Sequence, residues 1–473
     1  MQARFERVLP VLINAWYDLR ESEVSQMKIR LPEKVNMIIN TLQAHGYEAY
    51  AVGGCVRDSI LGRVPDDWDI TTSATPLETK KLFQRTFDTG IEHGTITVLI
   101  DKDAFEVTTY RVDGKYEDSR HPSEVTFTRS LKEDLLRRDF TINAMAYNDA
   151  EGLVDIFGGM EDLKSKTIRC VGNAKERFGE DALRILRAVR FAAQLGFHIE
   201  NETQEAIKIL APTLANISAE RIQVELIKML VSPNPSLLKA AYELGITKVI
   251  LPEFDELMKT TQETPHHMYT VGEHTLKAIE LVRPDKILRL TMLFHDIAKP
   301  KMKTIDEKGI AHFKMHDIEG VDMTKAILRR LKFDNDTLSK VTKLVQFHDL
   351  RIPAEPKRVR RAMNKIGEEL FPYYLEVRRA DTLAQSDYLR EEKLQNIRDM
   401  EICYHEILEK KECVSLKDLA VTGSDLIAAG MEPGKEIGVV LNSLLDMVIE
   451  NPELNTKEKL LDIVNDINCQ MSK

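Results

Sequence analysis

The sequence predicts an α+β protein, with a small mixed sheet and its helices at the front of the chain and a mainly α-helical remainder. Three observations carry that reading. Tyr47-Glu48-Ala49-Tyr50-Ala51-Val52 is short, rich in small, apolar and aromatic residues, and stops at Gly53-Gly54, the pattern of a buried strand ending in a tight turn. Phe105-Glu106-Val107-Thr108-Thr109-Tyr110 reads as a further strand. Beyond about residue 150 the period becomes helical and glycines are few; in Ile217-Ser218-Ala219-Glu220-Arg221-Ile222 and the residues that follow to Leu230, Ser218 stands as a helix cap.

At 473 residues and 43% hydrophobic content the chain has room for three or four domains. It has no stretch of ~18 apolar residues and no export-signal pattern at its start, so a membrane partner is not expected. Cys55, Cys170, Cys403, Cys413 and Cys469 are scattered without a Cys-x-x-Cys pair. They fit a reducing, cytoplasmic setting better than a disulfide framework or a zinc ribbon. A net charge of -10 argues against an indiscriminate polyanion binder. It leaves room for local basic patches that meet RNA phosphates, such as Lys299-Pro300-Lys301-Met302-Lys303, Arg329-Arg330-Leu331-Lys332 and Lys357-Arg358-Val359-Arg360-Arg361, each of which also reads as a solvated face.

Gly53-Gly54 is followed by one short helix start and then by Asp67-Trp68-Asp69. Side chains alternate along a strand, so Asp67 and Asp69 are expected to point the same way, with Trp68 turned to the core. Two carboxylates beside a glycine turn that lets a phosphate approach the backbone suit Mg²⁺, which is held by one or two carboxylates together with substrate phosphates. The glycines spell neither a dinucleotide fingerprint nor a Walker loop.

Gly53-Gly54-x-Val56-Arg57-Asp58-x-x-Leu61-Gly62-Arg63-x-Pro65-x-Asp67-x-Asp69 resembles the signature of the class II tRNA nucleotidyltransferases and bacterial poly(A) polymerases, members of the polymerase-beta nucleotidyltransferase superfamily. The resemblance covers most of the chain after residue 26. Leu135-x-Arg137-Arg138-Asp139-Phe140-Thr141-Ile142-Asn143-Ala144 is similar to the family's second motif, whose basic residues meet ribose or phosphate; by spacing alone it is a charged helix end before a strand. Glu180-Asp181-x-x-Arg184-x-x-Arg187-x-x-Arg190-Phe191 resembles the nucleotide-selecting helix. Residues three apart share a face, which sets Asp181 beside Arg184 while Leu183, Leu186 and Val189 pack inward.

An Asp accepts and an Arg donates, so the pair matches the amino group and bare ring nitrogen of cytosine and adenine and mismatches uracil and guanine. Each mismatch costs about 1–3 kcal/mol. The competing reading is a surface ion pair worth ~0.3–0.5 kcal/mol. Arg184, Arg187 and Arg190 form a cationic stripe expected to await an anion such as a triphosphate.

The resemblance implies further expectations. Arg111 to Pro122 is similar to the flexible loop of CCA-adding members. Glu106 stands where the family tends to carry another acid, and is either near the metals or simply solvated. His274, His295, Asp296 and Asp381 resemble the metal-binding set of HD phosphohydrolases, with His316 and His348 where extended sites have histidines; such residues on facing helices suit a divalent transition metal. That site is either a phosphohydrolase acting on RNA 3′ ends or a scaffold.

The segment Gly423 to Gly438 resembles the closing domain of Gram-positive-type members. The implied layout is an extension at 1–26, a polymerase-beta-like head at 27–150, helical neck and RNA-binding body at 151–255, HD domain at 256–390 and a tRNA-binding helical tail at 391–473. The implied activity is addition of CCA to tRNA from CTP and ATP, with Mg²⁺ on Asp67 and Asp69. Gly54 and Arg57 would contact the triphosphate, Arg138 ribose or phosphate, Asp181 and Arg184 the base, and Arg187 and Arg190 would orient the nucleotide. The alternatives are a poly(A) polymerase and, from another class, an HD phosphohydrolase whose head merely binds nucleotide.

Overall fold

The computed structural model describes residues 28–114, 125–264 and 269–471. The expected extension at 1–26 and most of the Arg111–Pro122 loop lie outside the described residues. Two compact units form, one from the residues up to Met229 with Lys239–Ile250, the other from Leu230–Leu238 with Leu251 onward.

The first unit is built on a seven-stranded mixed sheet. Its strands are β1 (Ala49–Val52), β2 (Ile70–Thr72), β3 (Thr86–Gly90), β4 (Thr95–Ile100), β5 (Asp103–Thr109), β8 (Met145–Asn148) and β9 (Gly152–Asp155), in the order β3-β4-β5-β2-β1-β8-β9; β6 (Arg111–Asp113) and β7 (Val125–Phe127) pair separately. Within this sheet, among the described residues, β2 and β5 are the one parallel pair, with Ile70 opposite Val107. All four residues of β1 are buried, which explains the unbroken apolar run in the sequence. Tyr50, Val52, Leu135, Ala144 and Ala146 form one core cluster.

Helix α1 (Glu33–Ala44) packs on this unit through Val35, Ile38, Ile39 and Leu42. The turn expected at the end of β1 is present: Gly53 has φ +84°, open to glycine at no steric cost, and α2 (Gly54–Ile60) starts directly after it. Helices α3 (Leu131–Leu136), α4 (Ala174–Glu180), α5 (Leu183–Leu195) and α6 (Ala219–Leu230) complete the elements that bear on the site. Leu183, Leu186 and Val189 are buried on α5 as its spacing requires.

Among the described residues, the regular structure of the second unit is helical apart from the short pair Thr304–Ile305 and Ala311–His312. Its elements include α7 (Val271–Glu280), α8 (Lys286–Phe294), α9 (His316–Arg330), α10 (Asn335–Phe347), α11 (Phe371–Ala384) and α12 (Lys435–Glu450). A separate core of Leu426, Leu444, Val448, Leu460 and Val464 holds its C-terminal helices. No helix among the described residues is long and apolar enough to cross a membrane.

The basic patches are largely neutralised within this unit. Lys301 pairs with Glu319, Lys303 with Glu263 and Arg330 with Glu253. Lys357 and Arg361 share Glu450, and Arg360 reaches Glu412 and the carbonyl of Ile449.

Candidate active site

Asp67 and Asp69 lie in the segment entering β2, which begins only at Ile70; this corrects the expectation that both ride on a strand. Pro65 has no N–H to give a ladder, and pairing starts at the carbonyl of Asp69, which accepts from Val52 N at 3.0 Å. Trp68 is half-buried, and both carboxylates are exposed.

The two acids are nonetheless close neighbours. Burial of its inner face first, and the charge of Asp67 second, push the Asp69 carboxyl above its ordinary range; Arg138 pulls it down and Glu106 pushes it up. Because Ile70 faces Val107, Glu106 on β5 falls beside Asp69. Three carboxylates thus crowd one corner, and a divalent cation would relieve their repulsion.

Arg138 leans over the glycine turn. A Cβ on Gly53 would stand 3.1 Å from its Nη1, so glycine there serves both the backbone and this approach. Its Nη2 donates to buried Asp134 at 3.4 Å, and Arg137 Nη2 donates to the same carboxylate at 2.7 Å. The Nε of Arg138 is buried without a hydrogen-bond partner.

Behind the turn runs a continuous ionic chain. Arg57 donates to Asp58 and, through Nη1, to Asn143 Oδ1 at 2.6 Å. Asn143 Nδ2 donates to Asp139 at 3.1 Å, and Arg187 Nε donates to the far oxygen of Asp139 at 2.7 Å. Burial would raise the Asp139 carboxyl, but Arg187, the Asn143 amide and Arg184 hold it well below the usual carboxylate range. Phe191 anchors the group, with the guanidinium carbons of Arg57, Arg187 and Arg190 at 5.0, 5.2 and 3.6 Å from its ring centre.

The motif that resembles a nucleotide-selecting helix is broken just after its first acid, Glu180. Asp181 lies with Ala182 between α4 and α5, its carboxylate accepting Leu183 N at 3.0 Å and Arg221 Nη2 from α6 at 2.7 Å. Arg184 donates to Glu180 at 2.5 Å and to the Arg137 carbonyl at 2.8 Å. The stripe of waiting cations is corrected too. Arg187 is paired with Asp139, and Arg190, 6% exposed, donates to Glu225 at 2.7 Å and to Gln194 at 2.8 Å.

Sequence reasoning named Asp139 and Asn143 only within a motif and missed Asp134, Arg221 and Glu225 as partners. Their common signal is weak: each is a polar residue at a position that an amphipathic pattern would bury.

In the second unit six predicted side chains converge. His274 on α7, His295 and Asp296 at the end of α8, and Asp381 on α11 form one group: His274 Nε2 is 3.1 Å from His295 Nε2 and 3.1 Å from Asp381 Oδ1, and His295 Nε2 is 3.2 Å from Asp296 Oδ2. His316 at the start of α9 and His348 at the end of α10 stand 3.5 and 3.6 Å from Asp296 Oδ1. Lys299, which the sequence did not mark, sits 2.7 Å from Asp296 Oδ2; it lies three residues on, one turn along the same face.

Comparison with known proteins matches three stretches of the chain. Residues 49–169 match the poly A polymerase head domain, 196–258 the model described as "Probable RNA and SrmB- binding site of polymerase A", and 310–464 tRNA nucleotidyltransferase domain 2. The mixed sheet with its carboxylate corner is therefore the head of a nucleotidyltransferase.

The CCA-adding enzyme of Enterococcus faecalis is 35% identical over 431 residues, 90% of this chain and 93% of the relative. That of Lactiplantibacillus plantarum is 56% identical over 198 residues, 42% of this chain and 49% of the relative. The crystal structure of the Bacillus stearothermophilus CCA-adding enzyme in complex with CTP superposes with a TM-score of 0.68 at 30% identity, covering 92% of this chain and 97% of that one. The chain belongs to the family of CCA-adding enzymes.

Proposed function

We propose that this enzyme adds C, C and A in turn to the 3′ end of immature tRNA, taking CTP and ATP as substrates and working in the cytoplasm. The observation that carries the reading is the carboxylate corner of Asp67 and Asp69 facing Arg138 across the Gly53 turn. The raised Asp69 carboxyl marks a place where negative charge awaits a cation, and oxygen donors suit Mg²⁺. Asp67 and Asp69 would hold Mg²⁺, which would neutralise charge as the tRNA 3′ oxygen bonds to the nucleotide's α-phosphorus, the bond to the β-phosphate oxygen breaks, pyrophosphate leaves and the 3′ hydroxyl proton passes to water.

Gly54 and Arg57 contact the triphosphate, and Arg138 reaches ribose or phosphate. Asp181 exchanges Arg221 for the amino hydrogen of the base while Arg184 donates to its ring nitrogen, so the protein itself takes the part of a template. Arg187 and Arg190 act through Asp139 and Phe191, orienting the groups that touch the nucleotide. The neck and body at 151–255 and the tail at 391–473 hold the tRNA, with the Pro433-Gly434-Lys435 entry to α12 as a phosphate contact.

Extending a truncated tRNA with each nucleotide separately tests this. CTP is expected to enter before ATP; addition of ATP alone would favour a poly(A) polymerase instead.

A second reading concerns the histidine cluster. We propose that His274, His295, Asp296 and Asp381 hold one divalent transition metal and serve hydrolysis of phosphates at RNA 3′ ends. His274, His295 and Asp296 bring donor atoms within 4.8 Å of one another, a set that fits a cation, with Lys299 already 2.7 Å from Asp296 Oδ2. Purified protein without a transition metal and without hydrolysis of a 2′,3′-cyclic phosphate would remove this reading.

A further inference from the structure

Asn143 ends the short 3₁₀ turn Thr141–Asn143 behind the glycine turn, with its backbone carbonyl 3.8 Å from where a Cβ on Gly53 would stand. Its side chain is buried between two buried charges, Arg57 and Asp139. Arg57 Nη1 donates to Asn143 Oδ1 at 2.6 Å, and Asn143 Nδ2 donates to Asp139 Oδ1 at 3.1 Å. A guanidinium only donates and a carboxylate only accepts, so the residue that joins them must accept at one atom and donate at another. A short amide does this, and its two partners dictate which way it points. An aspartate there would set carboxylate against carboxylate, and a leucine of the same shape would leave both charges short of a partner.

The chain continues beyond both ends of the amide. Arg57 holds Asp58 through Nε at 3.0 Å and Nη2 at 2.7 Å, and that Nη2 is 3.7 Å from where a Cβ on Gly54 would stand, so the guanidinium lies against the glycine turn. Asp139 Oδ1 also accepts Phe140 N at 2.8 Å, while Oδ2 accepts Arg187 Nε at 2.7 Å. Arg187 is three residues beyond Arg184, on the same face of α5. Phe191 of that helix meets Arg57 directly, its ring centre 5.0 Å from the guanidinium carbon. The helix that carries Arg184 therefore holds the arginine of the glycine turn twice, once through Phe191 and once through Asp139 and Asn143.

We infer that Asn143 is a positioning residue for nucleotidyl transfer: it ties Arg57 to α5, so that the fit of the base on that helix governs how Arg57 aligns the triphosphate. The inference rests on the assignment of Arg57 to the triphosphate and of Asp181 and Arg184 to the base. It goes beyond that assignment because Asn143 lies behind Arg57 and acts only through it. In a buried chain of this kind each hydrogen bond polarises the next, and a reacting group misplaced by about 1 Å costs on the order of 100-fold in rate. A wrong base is then penalised in the chemical step as well as in binding.

The test measures kcat and KM for CTP and for UTP on a truncated tRNA, using the full chain with Asn143→Leu, Arg57→Lys or both. Asn143→Leu is expected to lower kcat for CTP by about 10- to 100-fold while KM moves less than about 3-fold, and to lower the CTP-to-UTP ratio of kcat/KM by at least about 5-fold. Arg57→Lys is itself expected to be slower, since a lysine cannot hold Asp58 and Asn143 together; in that background Asn143→Leu should cost less than about 3-fold. Damage to the structure alone lowers both nucleotides alike, so an unchanged ratio overturns the inference. Additive losses in the double variant overturn it too, as does a raised KM with kcat unchanged. If Arg57→Lys leaves kcat intact, the triphosphate assignment of Arg57 fails and takes the inference with it. Where Asn143→Leu does not fold by circular dichroism, Asn143→Ser is read in its place with the same expectation.

Discussion

Asp69 and Asp296 are both aspartates beside cationic side chains, yet the two regions that hold them treat charge in opposite ways. Asp69 is exposed and pushed upward by burial of one face and by Asp67, so the protein keeps its acids in mutual repulsion. Asp296 is enclosed; burial opposes its charge, but His295 and Lys299 hold its carboxyl well below the ordinary range. The first arrangement is completed by what arrives with the substrate. The second is assembled in advance, with each imidazole oriented by a carbonyl. Open carboxylates suit a metal that travels with nucleotide phosphates, and an enclosed imidazole set suits a resident one.

The contrast can be broken most sharply at the open corner. Asp67→Ala is expected to lower nucleotide incorporation by on the order of 10⁴-fold or more in a truncated-tRNA extension assay, because charge neutralisation at the reacting phosphate is lost; the unfolding midpoint should barely move.

An enclosed pair in the same unit should behave inversely. Glu225→Ala strands Arg190 without its carboxylate and is expected to cost about 3–5 kcal/mol in urea unfolding, whereas Glu225→Leu with Arg190→Met recovers most of it. Activity loss without stability loss in Glu225→Ala would show that this pair belongs to the open class.

A smaller effect falls on selection. Asp181→Ala should weaken the preference for CTP over UTP by about 1–3 kcal/mol, roughly 5- to 150-fold in the ratio of kcat/KM values. An unchanged ratio would leave Asp181 as the Arg221 partner only.

The smallest is a pH effect. A carboxyl raised in the folded state is protonated there while still ionised in the unfolded chain, so stability falls as pH rises through that window. Asp69→Asn should therefore slightly raise the unfolding midpoint of metal-free protein at neutral pH. The gain should vanish below the ordinary carboxylate range, and Mg²⁺ should reverse the order of the two proteins.

Much of this was legible because the chemistry sits in short spans. Gly53-Gly54, Asp67-x-Asp69 and His295-Asp296 each declare a turn or a donor set within a few residues, and the change of period near residue 150 marks where strands stop. What stayed hidden is pairing across the chain. Arg187 finds Asp139 across 48 positions, Arg221 finds Asp181 across 40 and Arg190 finds Glu225 across 35. Periodicity tells that a face is buried, not which distant charge shares the burial. The same blindness made the arginine stripe and the basic patches look more available than they are. It also placed a strand start three residues early, at Asp67 rather than Ile70, since a proline two positions before Asp67 affects ladder hydrogen bonds rather than apolar alternation.

The hairpin of β4 and β5 acts as a ruler for the carboxylate corner. Its register runs unbroken from Ile100 opposite Asp103 to Thr95 opposite Thr108, and Lys34 clamps the tip through Asp101 at 2.8 Å and Asp103 at 3.0 Å. A one-residue slip of β5 against β4 would send Glu106 to the opposite side of the sheet, and the pairing of β5 with β2 opposes such a slip. The surface turn at Asp101–Lys102, with no chemistry of its own, thus sets where the third acid of the corner stands.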